Sequence, residues 1–98
     1  MMKKYKINDK NYELIEDYKD GFSLADITEK MTEYFDDYDY IVGDWSYGKL
    51  RLKGFCDKKN PNHKKINAIN ARADYIKHNC SYDCRYFVIK KMEVNINE

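Results

Sequence analysis

The chain has 98 residues, 43% of them apolar, with ten Tyr and a formal net charge of +1. That is enough for one domain around one modest core, so a folded chain rather than a disordered one is expected, without a second domain. No stretch approaches the roughly 18 apolar residues of a membrane span and the N-terminus has no secretory apolar region, so a cytoplasmic protein without a membrane partner is expected.

The small net charge hides a division. Residues 1–48 carry 6 Lys against 12 Asp and Glu, whereas residues 49–98 carry 12 Lys and Arg against 5 Asp and Glu. Either the halves neutralise each other across a folded sheet, or the molecule keeps an acidic and a basic face for a partner. Cys56, Cys80 and Cys84 are odd in number, and in a reducing compartment they are expected as free thiols unless a metal binds them.

In chain order, residues 3–8 alternate around Tyr5 and Ile7, the polar run 8–11 reads as a turn, and residues 12–18 supply a second extended run. Asp20-Gly21 breaks the chain. Ser23 with Asp26 three residues later resembles a capping box, and Leu24, Ile27, Met31 and Phe35 follow at helical spacing. This first helix should stop between Phe35 and Tyr38, because Asp36, Asp37 and Asp39 would oppose the macrodipole at a helix C-terminus. Residues 57–63 hold the only Pro and read as an exposed, mobile loop. From 64 to 78, Ile66, Ile69, Ala73 and Ile76 recur at helical spacing and predict a second helix. Residues 85–90 are apolar in their middle, as an inner strand covered on both faces would be. The expected fold is therefore α+β, in the order ββαββαβ, a mostly antiparallel sheet with two helices packed on it. Residues 1–92 form the domain and 93–98 a frayed polar tail.

Between these elements, residues 38–55 concentrate the only Trp and three of the four Gly. A two-residue loop at Tyr47-Gly48 sets Trp45 opposite Leu50, Gly43 opposite Leu52, Ile41 opposite Gly54, Asp44 opposite Arg51 and Tyr40 opposite Phe55. One face is then apolar, whereas a three-residue loop would mix the faces. The other face carries Tyr40, Val42, Asp44, Lys49, Arg51, Lys53 and Phe55, and is expected to be the outer one.

The segments YELIEDYKDGF at 12–22 and IVGDWSYGKLRLKGF at 41–55, and more loosely Cys84 to Val88, give the chain its resemblance to a family. It resembles the YutD-like proteins of low-GC Gram-positive bacteria, whose function is uncharacterised. It departs from the family pattern at Ser46, where Gly is usual, and at Lys49, where Gln is usual, while Arg51 and Lys53 fit. The resemblance implies no catalytic residue and no cofactor.

Several chemistries compete for these residues. A cationic strand with Tyr40 and Phe55 as stacking surfaces suits a nucleic-acid backbone, whereas Arg51 paired to Asp44 with solvated lysines needs no ligand. Cys80-x3-Cys84, with His78, His63 and Cys56, contains zinc-ligand types but only one closely spaced pair. Asp36, Asp37, Asp39 and Asp44 lack a calcium-loop pattern and read as an acidic turn. Ser46 and Cys56 show no adjacent base. The reading that remains is a binding or adaptor domain that contacts a macromolecular partner, protein or RNA, through Tyr40, Asp44, Arg51, Lys53 and Phe55. The alternatives are RNA or ribosome binding through the same face, or a small enzyme with a cleft beside Asp44.

Overall fold

The structure, a computed structural model, describes residues 3–79 and 84–92. Its elements are β1 (Lys3–Ile7), β2 (Lys10–Tyr18), α1 (Leu24–Lys30), β3 (Tyr40–Ser46), β4 (Lys49–Phe55), α2 (Arg72–Asn79) and β5 (Tyr86–Lys91), the ββαββαβ order expected. The expected tail at 93–98 lies outside the described residues.

The five strands form one sheet in the order β1-β2-β5-β3-β4, and every neighbouring pair is antiparallel. The last strand thus enters the middle, between the two hairpins. This explains its unbroken apolar centre: Phe87, Val88 and Ile89 are each 0% exposed, because both faces of a central strand are covered. Both hairpins close through two residues with positive φ, Asn8 and Asp9 in the first, Tyr47 and Gly48 in the second. That geometry matches the right-handed twist of the flanking strands. The first turn is tighter than expected, so β2 starts at Lys10 rather than Tyr12.

Each face of the sheet carries its own apolar cluster. On one side, Ile7, Tyr12, Ile41, Leu50, Phe87 and Ile89 pack with Ile27 and Met31 from α1 and its C-cap. On the other, Val42, Phe55 and Val88 pack with Ile69, Tyr75 and Ile76 from α2 and the turn before it. Alternation along β2 sets Leu14 against the first cluster and Ile15 against the second, and the bulge between Leu14 and Glu16 brings Glu16, opposite Val88, onto the same face as Ile15. At Gly43 the ring of Phe87 occupies the space a Cβ would need, so the central crossing requires glycine.

The helices are shorter than their apolar spacing suggested. Ser23 caps α1 through a hydrogen bond from the Asp26 N–H to its Oγ (3.3 Å), but the helix ends at Lys30 and Met31 is already extended. The side-chain amide of Asn8, in the first hairpin turn, donates to Met31 O (3.2 Å), which ties the helix end to β1 and β2. Phe35 therefore sits in a separate 3-10 turn, Glu33–Asp37, and Leu24 is 41% exposed.

The second helix begins at Arg72 rather than residue 64 because the preceding backbone is engaged elsewhere. Cys56 N–H donates to Asn67 O (2.7 Å) and Ile69 N–H donates to Cys56 O (3.0 Å), a parallel bridge onto the end of β4. The side chain of Asn67 accepts from Lys64 N–H (2.7 Å). Those bonds displace the i to i−4 pattern, leaving two 3-10 turns, Lys65–Asn67 and Ile69–Ala71. Ile66 points away, 76% exposed. Ala73 is exposed as well, and Tyr75 supplies the packing expected of it.

Candidate functional site

The β3–β4 hairpin has the expected register at every position: Trp45 opposite Leu50, Gly43 opposite Leu52, Ile41 opposite Gly54, Asp44 opposite Arg51 and Tyr40 opposite Phe55. Its tip is fixed by Trp45, whose indole N–H donates to Gly21 O (2.7 Å) while the guanidinium of Arg85 lies 4.5 Å above its ring. The turn residue Tyr47 projects beyond the sheet, 98% exposed.

The face expected to be the outer one is covered. The ring of Tyr75 meets Phe55 edge-on at 5.7 Å, and Phe55 and Val42 are both 0% exposed. Phe55 therefore offers no stacking surface to a base. Its apolar neighbours on α2 lie about twenty residues further along the chain, which is why strand periodicity alone placed it outside. Tyr40 is half-buried in the same cluster, with the ammonium of Lys90 5.8 Å from its ring centroid.

Asp44 is also 0% exposed. Its Oδ1 accepts from Arg51 Nε (2.8 Å), and its Oδ2 has no hydrogen-bond partner among the described residues. Arg51 continues from there to the backbone carbonyl of Asn79, the last residue of α2. The Asp44 hydrogen bond holds the guanidinium's pKa above its ordinary value, and burial followed by the nearby Asp44 carboxylate pushes the Tyr75 phenol up. A carboxyl sealed beneath Arg51 and Tyr75 is closed to a substrate, which counts against the small enzyme with a cleft beside Asp44. The pair instead joins sheet to helix.

Lys49 is exposed and Lys53 half-buried, and no carboxylate pairs with either among the described residues. Lys53 borders an open groove of about 440 Å³ with Ile66, Ala71, Asp74, Tyr75, His78 and Asn79. A larger cleft of about 620 Å³ lies beside Cys56, with Lys58, His63, Lys65 and Asp74 in its lining. Cys56 itself is fully buried, and its thiol pKa is raised by burial first and by Asp39 and Asp37 after it.

The metal candidates do not gather. Cys56 and His63 line one cleft and His78 the other, with the His78 ring held by the Asp74 carbonyl (2.7 Å). No group of three His, Cys, Asp or Glu among the described residues is arranged to hold an ion. Cys80 lies outside the described residues. The expectation of free thiols holds for Cys56 and fails for Cys84, which is disulfide-bonded; an argument from compartment says nothing about which sulfurs a fold brings together. The acidic turn has a structural use. Asp39 Oδ2 accepts from Asp57 N–H (2.7 Å) and from the Asn60 amide (3.0 Å), which anchors the loop expected to be mobile.

Sequence reasoning missed the sheet edge. Cys56 directs its N–H and C=O away from β3, toward Asn67 and Ile69. By the alternation of an antiparallel ladder, Leu50, Leu52 and Gly54 direct theirs to the same outer side. Trp45 N–H bonds the carbonyl of Arg85, just before β5, which leaves Asp44 and its partner Arg51 to bond each other and requires the same assignment. Strand order was the signal needed, and a single sequence does not carry it.

Together these features define a small α+β domain with a helical layer on each face of its sheet and a basic strand at one edge. The chain belongs to the YutD-like family, as the motifs at 12–22 and 41–55 implied: the family profile described as "Putative antitoxin YutD-like" matches residues 6–90. It is 40% identical over 86 residues to the protein named "Putative antitoxin YutD" of Bacillus subtilis (strain 168), covering 88% of this chain and 94% of that one. The solution NMR structure of protein yutD from B. subtilis matches it with a TM-score of 0.77 at 37% identity, covering 93% of this chain and 83% of that one.

Proposed function

We propose that this chain is a cytoplasmic, non-enzymatic binding domain whose partner is a protein, engaged at the outer strand of the central hairpin. The observation that carries the reading is the pair Lys49 and Lys53, cations without a carboxylate partner among the described residues, on a strand at the edge of the sheet. Unpaired cations beside unpaired backbone groups favour an acidic partner in orientation and in encounter rate. The family description supports the same class, since an antitoxin acts by engaging another molecule. Of the residues first singled out, Lys53 keeps a direct role. Tyr40, Asp44, Arg51 and Phe55 support the strand from beneath.

Affinity purification from the native cytoplasm, with and without nuclease, tests this with the wild type and a Lys49→Glu, Lys53→Glu variant. These sites are chosen over Arg51, whose loss strands a buried carboxylate. The expected result is a protein that survives nuclease and is lost from the variant. Loss on nuclease treatment would move the reading to RNA, and the affinity should then fall with log salt at a slope of about −2 for two phosphate contacts.

A further inference from the structure

We propose that the partner binds by strand addition: an extended acidic segment pairs with β4 as a sixth strand, its side chains alternating between acidic and apolar. This rests on the protein-binding reading above and specifies its geometry.

The first observation is the edge itself. Leu50, Leu52 and Gly54 direct N–H and C=O groups outward, and among the described residues only Cys56, at the end of this edge, has a backbone partner there, in Asn67 and Ile69. That short parallel bridge pairs with the end of the edge at one residue and goes no further. Main-chain hydrogen bonds to such an edge supply affinity, and alternate side-chain positions supply selectivity.

The second observation is the two-sided chemistry beside that edge. Lys49, Arg51 and Lys53 lie on the α2 side, where a neighbouring strand would place every second side chain; on the α1 side Leu50 is buried in the core, 4% exposed, and half-buried Leu52 is the one left to meet the others. Arg51 is already committed to Asp44, so Lys49 and Lys53 select acidic residues four positions apart along the added strand. Half-buried Leu52 selects apolar residues between them. The groove past Lys53 gives the added strand an apolar wall in Ile66, which is 76% exposed.

Charge also decides against a second copy of this chain. Two β4 strands paired antiparallel about Arg51 would set Lys49 opposite Lys53 twice, and like charges directly opposite destabilise a ladder. Edge lysines serve generally as a barrier to such self-pairing. Here the same barrier is an attraction for an acidic strand.

The probe is a short capped peptide of alternating Glu and Val, with amide hydrogen exchange of the full chain read by NMR. The Leu50, Leu52 and Gly54 amides should exchange about tenfold slower with peptide present. A peptide of equal composition with its Glu and Val in separate blocks should leave them unchanged. The Lys49→Glu, Lys53→Glu variant should lose the protection and regain it with alternating Lys and Val. Leu52→Pro removes the central donor on the solvent side, where proline is tolerated in an edge strand, and should abolish protection while the β1–β2 amides report an intact fold. No slowing at these three amides up to about 1 mM peptide, or equal slowing by the blocked peptide, would overturn strand addition. Protection that rises with protein concentration alone would overturn the acidic partner in favour of a second copy. A protein captured from the cytoplasm that ignores the double substitution would end strand addition and leave the protein-binding reading standing. Peptide protection with no protein captured would do the reverse.

Discussion

On the α1 side of the sheet, Ile27 is 0% exposed among Ile7, Ile41, Leu50, Phe87 and Ile89, and Phe22 meets Phe87 edge-on at 5.3 Å. On the α2 side, a cluster of three fully buried apolar residues, Val42, Phe55 and Val88, lies under a helix that buries none of its own. That helix is attached by Tyr75 and Ile76, by the Arg72–Glu16 pair at its start and by Arg51 at its end. One helical layer is thus held by apolar burial, which has no preferred direction, and the other largely by two polar attachments. The α2 layer is the one expected to open first, because local stability follows buried apolar contact. It also shields the basic edge strand from one side.

The largest effect that breaks this comparison should come from the α1 side. Phe87→Ala leaves a void beneath Gly43 and beside Phe22, and should cost about 3–5 kcal/mol in urea unfolding, with every element melting together. If α2 alone unfolded in that variant, the two faces would be independent units and the assignment of Phe87 to the shared centre would fail.

Next is the buried pair on the α2 side. Arg51→Ala leaves Asp44 charged and fully buried, and should cost about 3 kcal/mol, the lower end for such pairs because the Arg51 side chain is 42% exposed. Replacing both, Asp44→Val with Arg51→Met, should return stability to within about 1 kcal/mol of the wild type. A double variant as unstable as the single would show that Arg51 acts through Asn79 alone. Comparison of the singles with the double in a mutant cycle separates the two contacts.

How much of this was legible in the sequence depended on whether the deciding contact was local. The β3–β4 register follows from a period of two and from a turn that only Gly48 and a tolerant neighbour can make, so all of its pairs were readable from residues 40–55. Asp44 beside Arg51 was readable for the same reason. The burial of Phe55 was not, because it depends on Tyr75 arriving from a distant helix. Nor was the break before Arg72: apolar spacing favours helix from residue 64, and only the bonds from Cys56 to residues 67 and 69 divert it. For the site, the sequence set Tyr40, Val42 and Phe55 on an outer face of the hairpin, and the fold covers that face with α2. Lys49 and Lys53 matter in the present reading because β4 is at an edge, and strand order is a property of the whole sheet.

The smallest effect sharpens the contrast within the α2 layer. Glu16 and Arg72 meet at 2.9 Å with side chains 38% and 36% exposed, so solvent screens most of their attraction. Glu16→Gln keeps the shape and removes the charge, and should cost no more than about 0.5 kcal/mol in low salt, with the difference largely gone above about 0.15 M. Amide exchange in α2 gives the finer reading. If Glu16→Gln leaves exchange at Tyr75 and Ile76 unchanged while Arg51→Ala accelerates it, the helix is anchored from its C-terminal end, at the residues that also border the groove along β4. A strand added at that edge would then lie against the fixed end of α2, and the opening of the helix would begin at Arg72, away from the proposed contact. Equal acceleration by both substitutions would instead make α2 a layer that detaches as a whole, and occupancy of the edge would have to depend on whether it is docked.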